Sequence, residues 1–321
     1  MKIIPIEGLN AIAWCMTSLG MILTIGRFWI HWRKTRRIGW DDYFNGVALI
    51  FLLAYITTYQ IYVPIDYQAQ LYALGLSNEP PGPRDVMLTM KLNMANIALF
   101  FCVIYSVKAS FLAMYWRIFE ISKRFRVAWS LLTAYTALCF LVSFTSIFWK
   151  CGTPTNFLEP EACAERPRSI IVHLQTMWCS LNVVGDIMLM IIPVAMLKPM
   201  LMPLSQKIGV AFVFSLVFII IAFDILRTVY TLRMSPKFQD ENAVWALMEP
   251  TIAVIVCALP CFGSSLAWIT PAVFNALISS VSNRFSSSSK RSSNSSGSVY
   301  SKDSDGTGKD SWLINERTGS V

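Results

Sequence analysis

Long apolar runs, broken by short polar connections, dominate the chain. Seven of them fall near Leu9–Ile30, Tyr43–Pro64, Leu92–Trp116, Val127–Trp149, Ser169–Leu197, Ile208–Leu232 and Ala243–Ile269. Each is long enough to cross a bilayer as a helix, which takes about 20 mostly apolar residues. The runs are unbroken, unlike the in–out alternation of a membrane barrel, so helices are predicted throughout. The expected fold is an all-α membrane protein, a seven-transmembrane helix bundle. The first run has one lysine before it and no small-residue cleavage site after it, which predicts a retained span and not a removed signal peptide.

Composition agrees. Apolar residues make up 55% of the chain and charged residues 14%, against about 25% charged in a soluble domain. The net charge of +8 does not indicate a nucleic-acid partner, because the basic residues flank the apolar runs and form no patch interleaved with aromatics. Their distribution sets an orientation instead. Arg33, Lys34, Arg36, Arg37, Arg117, Lys123, Arg124 and Arg126 fall in the first and third connections, on the same side as the basic residues of the tail. The opposite side carries fewer. The N-terminus is therefore expected outside and the C-terminus in the cytoplasm, with the lipid bilayer as the main partner and an integral, multi-pass localisation.

Two regions follow: a transmembrane domain over residues 1–283 and a tail over 284–321. The tail holds 13 serines in 38 residues and too little apolar surface to fold alone. Two readings of it stay open, a solvated disordered tail and a phosphorylation-regulated docking site for a cytoplasmic partner.

Of the eight cysteines, six lie within apolar runs, where a thiol acts as a small apolar group. Cys151 and Cys163 share the connection between runs four and five, and an oxidising exterior would favour a disulfide between them. Cys257 and Cys261 share a helical face. With no histidine or carboxylate near them, no metal site is expected.

Ionisable residues deep in a bilayer are costly and turn inward. Here they are Lys108, Asp186, Asp224, Arg227 and Glu249. Lys108 and Asp186 fall at similar depth. Asp224 and Arg227 are three apart and share a face, and Arg227 can pair with Asp224, Glu249 or both. These groups form either an ion-pair scaffold or a polar pocket in the outer half, bordered by runs three, five, six and seven. Ligand-pocket candidates are Tyr105, Lys108, Asp186, Asp224, Arg227 and Glu249, with His173, Asn182, Tyr230 and Trp245 as further lining. A carboxyl group in an apolar site can serve as a general acid, making Glu249, Asp224 and Asp186 the catalytic candidates. Pro193, Pro250 and Pro260 interrupt runs five and seven, while Asp41 and Asp42 precede run two, where carboxylates cap a helix start. The last run contains no lysine, which excludes a retinal Schiff base on that helix. Motifs for a nucleophilic triad, a zinc site, a phosphate loop or haem ligation are missing. No cofactor is expected.

Several segments together carry a resemblance. Gly39-Trp40-Asp41-Asp42-Tyr43 opens run two, and the segment from Lys108 to Phe119 closes run three. Asn182-Val-Val-Gly-Asp186 leads to Pro193. Arg227 ends run six, and Trp245-Ala-Leu-Met-Glu249 leads to Cys257-Ala-Leu-Pro260. In this order they resemble the fungal rhodopsin-domain family of integral membrane proteins. That family includes a satratoxin-cluster member and the transmembrane core of a class of fungal receptors. The likeness covers roughly Gly8 to Ile278. It implies a seven-helix fold and a link to secondary-metabolite biosynthesis or to sensing, with a lipophilic small molecule as ligand. Three functions stay open: a non-enzymatic small-molecule-linked membrane protein, an intramembrane cyclase or isomerase of a natural-product pathway, and a metabolite transporter.

Overall fold

The structure, a computed structural model, describes residues 6–36, 38–73, 75, 82–119, 123–150, 168–197, 215, 217–229 and 239–269. Among them every regular element is helical. The helices are α1 (Ile6–Thr35), α2 (Trp40–Ala73), α3 (Pro83–Phe119), α4 (Lys123–Ser146, ending in a 3-10 turn at Ile147–Trp149), α5 (Arg168–Leu197), α6 (217–229) and α7 (Gln239–Ile269). Six carry a segment long and apolar enough to span a membrane. The described part of α6 is shorter than such a span. The connection with Cys151 and Cys163, residue Tyr230 and the serine-rich tail lie outside the described residues.

Helices α2, α3 and α7 extend beyond the apolar runs that announced them. The second run was expected to stop at Pro64, yet α2 continues to Ala73 with Pro64 inside it. The third was expected from Leu92, yet α3 begins at Pro83. Backbone hydrogen bonding does not end where lipid ends, and the α2–α3 contact, the most extensive in the bundle, carries both helices onward. Helix α3 also packs on α4, α5 and α7, while α1 lies against α2 and α7.

Burial is inverted relative to a water-soluble fold. Ile22, Ile25, Ile50, Leu131, Leu138 and Phe218 are each at least 60% exposed, whereas Arg27, Asp42, Lys108, Asp186, Asp224 and Glu249 are at most 5% exposed. Apolar side chains face outward because lipid is the solvent, and charges turn inward to meet each other. Lipid also removes the hydrophobic drive between helices, leaving packing and interhelical hydrogen bonds worth about 0.6 kcal/mol each on average. Several such bonds are present. Trp129 Nε1 donates to the Leu112 carbonyl at 2.8 Å, Trp178 Nε1 to Ser146 Oγ at 2.7 Å, and Trp14 Nε1 to Gln60 Oε1 at 3.0 Å.

Proline in a helix frees the carbonyl four residues earlier. Pro250 lies inside α7, and the carbonyl it leaves is that of Ala246. Tyr55 on α2 donates its hydroxyl to that oxygen at 2.9 Å. Sequence alone predicted the interruption; the helix runs on because a neighbour supplies the missing donor.

Candidate functional site

The intramembrane charges separate into distinct clusters. Lys108 on α3 meets Asp186 on α5 at 3.0 Å and donates to the Asn182 carbonyl at 2.9 Å. A Cβ at Gly185 would lie 3.2 Å from the ammonium, so the glycine lets this cation approach α5. The adjoining void is only about 10 Å³. Tyr105 lies beside it, sharing a 3.3 Å hydrogen bond with Ser143 on α4. The predicted Lys108–Asp186 pairing therefore forms as a packed cross-brace between helices.

Arg227 on α6 sits between two carboxylates. Its Nε lies 2.6 Å from Glu249 Oε2 on α7, and its Nη2 lies 3.6 Å from Asp224 Oδ1 one turn back. The guanidinium stacks over Phe100 at 4.3 Å from the ring centroid. Of the two partners predicted for Arg227, Glu249 is the close one. Both Asp224 oxygens and Glu249 Oε2 lack an aligned hydrogen bond among the described residues. Charge is balanced here by proximity more than by hydrogen-bond geometry.

Arg227 also borders a cavity of about 240 Å³. Tyr55, Tyr59 and Tyr62 of α2 form one wall, Phe100 and Phe101 of α3 another, and Trp178 of α5 a third. Asn96 on α3 and Gln175 on α5 also line it. They are 5% and 6% exposed, and Asn96 Oδ1 and Gln175 Nε2 have no hydrogen-bond partner among the described residues. A buried polar atom left without a partner costs about 1–3 kcal/mol. Both amide residues therefore give the aromatic chamber polar groups at its border. Lys150, part-buried just past the end of α4, joins the lining; burial pushes its ammonium pKa below the ordinary value, with the Asp66 carboxylate opposing the shift.

The pocket thus differs from the expected one. It is bordered by α2, α3 and α5, with contributions from α6 and α7. Of the predicted pocket residues only Arg227 lines it. Glu249 and Asp224 stand beside Arg227 outside the lining, Lys108, Asp186 and Tyr105 belong to the cross-brace, His173 is exposed, and Trp245 stacks near Phe223. One signal for the wall of this cavity was present in the sequence: Tyr55, Tyr59 and Tyr62 recur at the helical spacing that puts side chains on one face.

At the opposite end of the bundle lies a residue the sequence reasoning passed over. Arg27 on α1 is fully buried. Its Nε donates to Asp42 Oδ1 at 2.8 Å, its Nη2 to Asp41 Oδ2 at 2.6 Å, and its Nη1 to the Cys257 carbonyl at 2.6 Å. Asp42 also accepts the Gly39 N–H at 3.2 Å, one half of a capping box. The predicted capping role is present, but the main partner of the two aspartates is Arg27. Gly39 is required, since a Cβ there would collide with the Asp41 carboxylate. The statement that no histidine or carboxylate approaches Cys261 is also corrected. His31 Nε2 lies 3.5 Å from its Sγ, and His31 Nδ1 lies 2.5 Å from Asp42 Oδ2. These residues come from three helices, so no local motif announces them.

A lipid-facing bundle of apolar helices, with charges braced inside and an aromatic chamber near one end, defines a polytopic integral membrane protein. The chain matches the fungal rhodopsin domain over residues 26–268 and belongs to that family. It is similar to the Wortmanamides biosynthesis cluster protein C of Talaromyces wortmannii, at 26% identity over 255 residues, covering 78% of this chain and 68% of the relative. No solved structure matches.

Proposed function

We propose that this protein binds a lipophilic small molecule of secondary metabolism in the aromatic chamber beside Arg227. The single observation that carries the reading is an aromatic cavity of about 240 Å³ whose lining includes Asn96 and Gln175, two residues that each hold a buried amide atom without a partner among the described residues. Pockets of this kind combine apolar walls with a few polar groups that fix orientation. The ligand class that fits carries a hydrogen-bond donor and an acceptor on an otherwise apolar frame. The similarity to a protein of a biosynthesis cluster supports the metabolic link. The excess of Lys and Arg in the first and third connections supports an outside N-terminus, which puts the chamber at the exterior end.

The test is comparative metabolite profiling of a deletion strain complemented with the parent chain or with Asn96→Leu/Gln175→Leu. Binding in the chamber predicts that the parent restores the profile and the double variant, present at equal level in membranes, does not. Equal restoration by both would remove the chamber from the function. In the alternative enzyme reading Glu249 is the acid, but it is committed to Arg227 at 2.6 Å and lies outside the cavity lining. A Glu249→Gln chain that restores the profile in full would dispose of that reading.

A further inference from the structure

The arrangement Asp42–His31–Cys261, at the end of the bundle away from the chamber, has the order of a nucleophile, its base and the group that orients the base. Asp42 Oδ1 accepts from Arg27, so its other oxygen is left to accept from His31 Nδ1. When the ring is neutral and Nδ1–H donates to Asp42, Nε2 is its acceptor, and Nε2 is the atom that faces Cys261 Sγ at 3.5 Å. This is within hydrogen-bond reach for sulfur. Six cysteines fall among the described residues, and Cys261 is the one with a histidine nitrogen this close to its sulfur.

A metal site is the competing reading, because ligand-type atoms of His31, Asp42 and Cys261 lie within 4.8 Å of one another. The geometry argues against it. Nδ1 is turned to Asp42 and Nε2 to Cys261, so a single ion would meet Nε2 and Sγ but not the carboxylate. Asp42 is in addition neutralised by the Arg27 guanidinium. Two protein ligands next to a cation fall short of the three or four that bind zinc.

We propose that Cys261 is a nucleophilic thiol that accepts an acyl group from a membrane-associated acyl thioester. His31 takes the thiol proton as Sγ bonds to the acyl carbonyl carbon. The carbon–sulfur bond to the carrier then breaks. The departing carrier sulfur recovers the proton from His31, leaving an S-acyl cysteine and a free carrier thiol. No oxidant or reductant is needed. Asp42 is a positioning residue that holds the imidazole ring. The class of substrate follows from placement. His31 is 15% exposed by side chain and sits two residues before Arg33, where the span of α1 ends. The same end of the bundle carries the exposed residues Arg33, Arg36 and Arg117. A long-chain thioester puts its apolar chain in the bilayer, its reacting carbonyl near the boundary and an anionic carrier among cations. This inference is independent of the chamber, since no residue is shared between them.

The experiment uses the full chain in lipid nanodiscs with a long-chain acyl coenzyme A bearing a terminal alkyne. Labelled cysteines are mapped by peptide mass spectrometry, and thioesters are verified by release with hydroxylamine. The expected result is a thioester on Cys261, formed faster than on Cys15, which is more exposed but has no base beside it. His31→Gln, with an unchanged thermal melt, slows labelling about a hundredfold, the low end for loss of a general base. Labelling of Cys15 but not Cys261 in the unaltered chain overturns the proposal, whether or not the variant folds. So does a folded His31→Gln chain labelled at the parental rate. Stoichiometric zinc or copper that is released when Cys261 is alkylated would show a metal site and also overturn it.

Discussion

Two arginines, Arg27 buried and Arg227 part-buried, stand near opposite ends of this bundle, each facing two carboxylates, and they are bonded in opposite ways. Arg27 is bonded through all three nitrogens: Nε, Nη1 and Nη2 each reach a carboxylate or a carbonyl at 2.8 Å or less. Arg227 is held by proximity, with one carboxylate at 2.6 Å and the other at 3.6 Å, and it borders a cavity. A buried ion pair earns its place in a low-dielectric site only when its remaining hydrogen-bonding capacity is also met. The Arg27 cluster meets that condition and ties α1, α2 and α7 together. The Arg227 cluster leaves carboxylate oxygens unaligned, and Arg227 shares a cavity lining with two residues that each hold an amide atom without a partner among the described residues. Under the proposed function, the less complete cluster is the one beside the ligand.

The largest expected effect is at the Arg27 end. Arg27→Ala removes the main partner that Asp41 and Asp42 share and is expected to cost about 3–5 kcal/mol, the range for breaking a buried pair from one side. Its measure is the unfolding midpoint in detergent, and a loss under about 1 kcal/mol, far below that range, would erase the contrast between the two ends. Next come Asn96→Leu and Gln175→Leu. Each removes an unpartnered polar group, so each is expected to raise unfolding free energy by about 1 kcal/mol, the low end of the burial penalty, while weakening ligand retention. A stability loss would mean that those atoms have partners in the empty protein. Tyr55→Phe leaves the Ala246 carbonyl without its donor beside Pro250 and is expected to cost about 1 kcal/mol in the same unfolding assay. The smallest effect is on the outer surface of α5: His173→Ala, at an exposed position, should change the midpoint by less than about 0.5 kcal/mol.

Much of the fold was legible in the chain because lipid imposes a length and a composition on each span. Helix class and the inward placement of Lys108, Asp186, Asp224, Arg227 and Glu249 follow from that alone. Helix ends beyond the lipid did not follow, because Pro64 and the start of α3 at Pro83 lie outside what apolarity measures. The chamber was harder still. Tyr55, Tyr59 and Tyr62 carried a one-face pattern, but Asn96 and Gln175 gained meaning only when α3 and α5 came together. Arg27 was overlooked because it lies near the end of its run, where arginines are common, and its partners are 14, 15 and 230 residues away. Cys261 likewise read as a small apolar group until α1 brought His31 to its sulfur.

The hydroxyl of Tyr55 has two claims on it. It stands in the chamber wall, and its proton also repairs the break that Pro250 makes in the last helix. Under the proposed function, a guest that accepts this proton would leave the break open, while one that only donates to the oxygen would not. The last helix would then register which kind of molecule has entered, through a single shared proton.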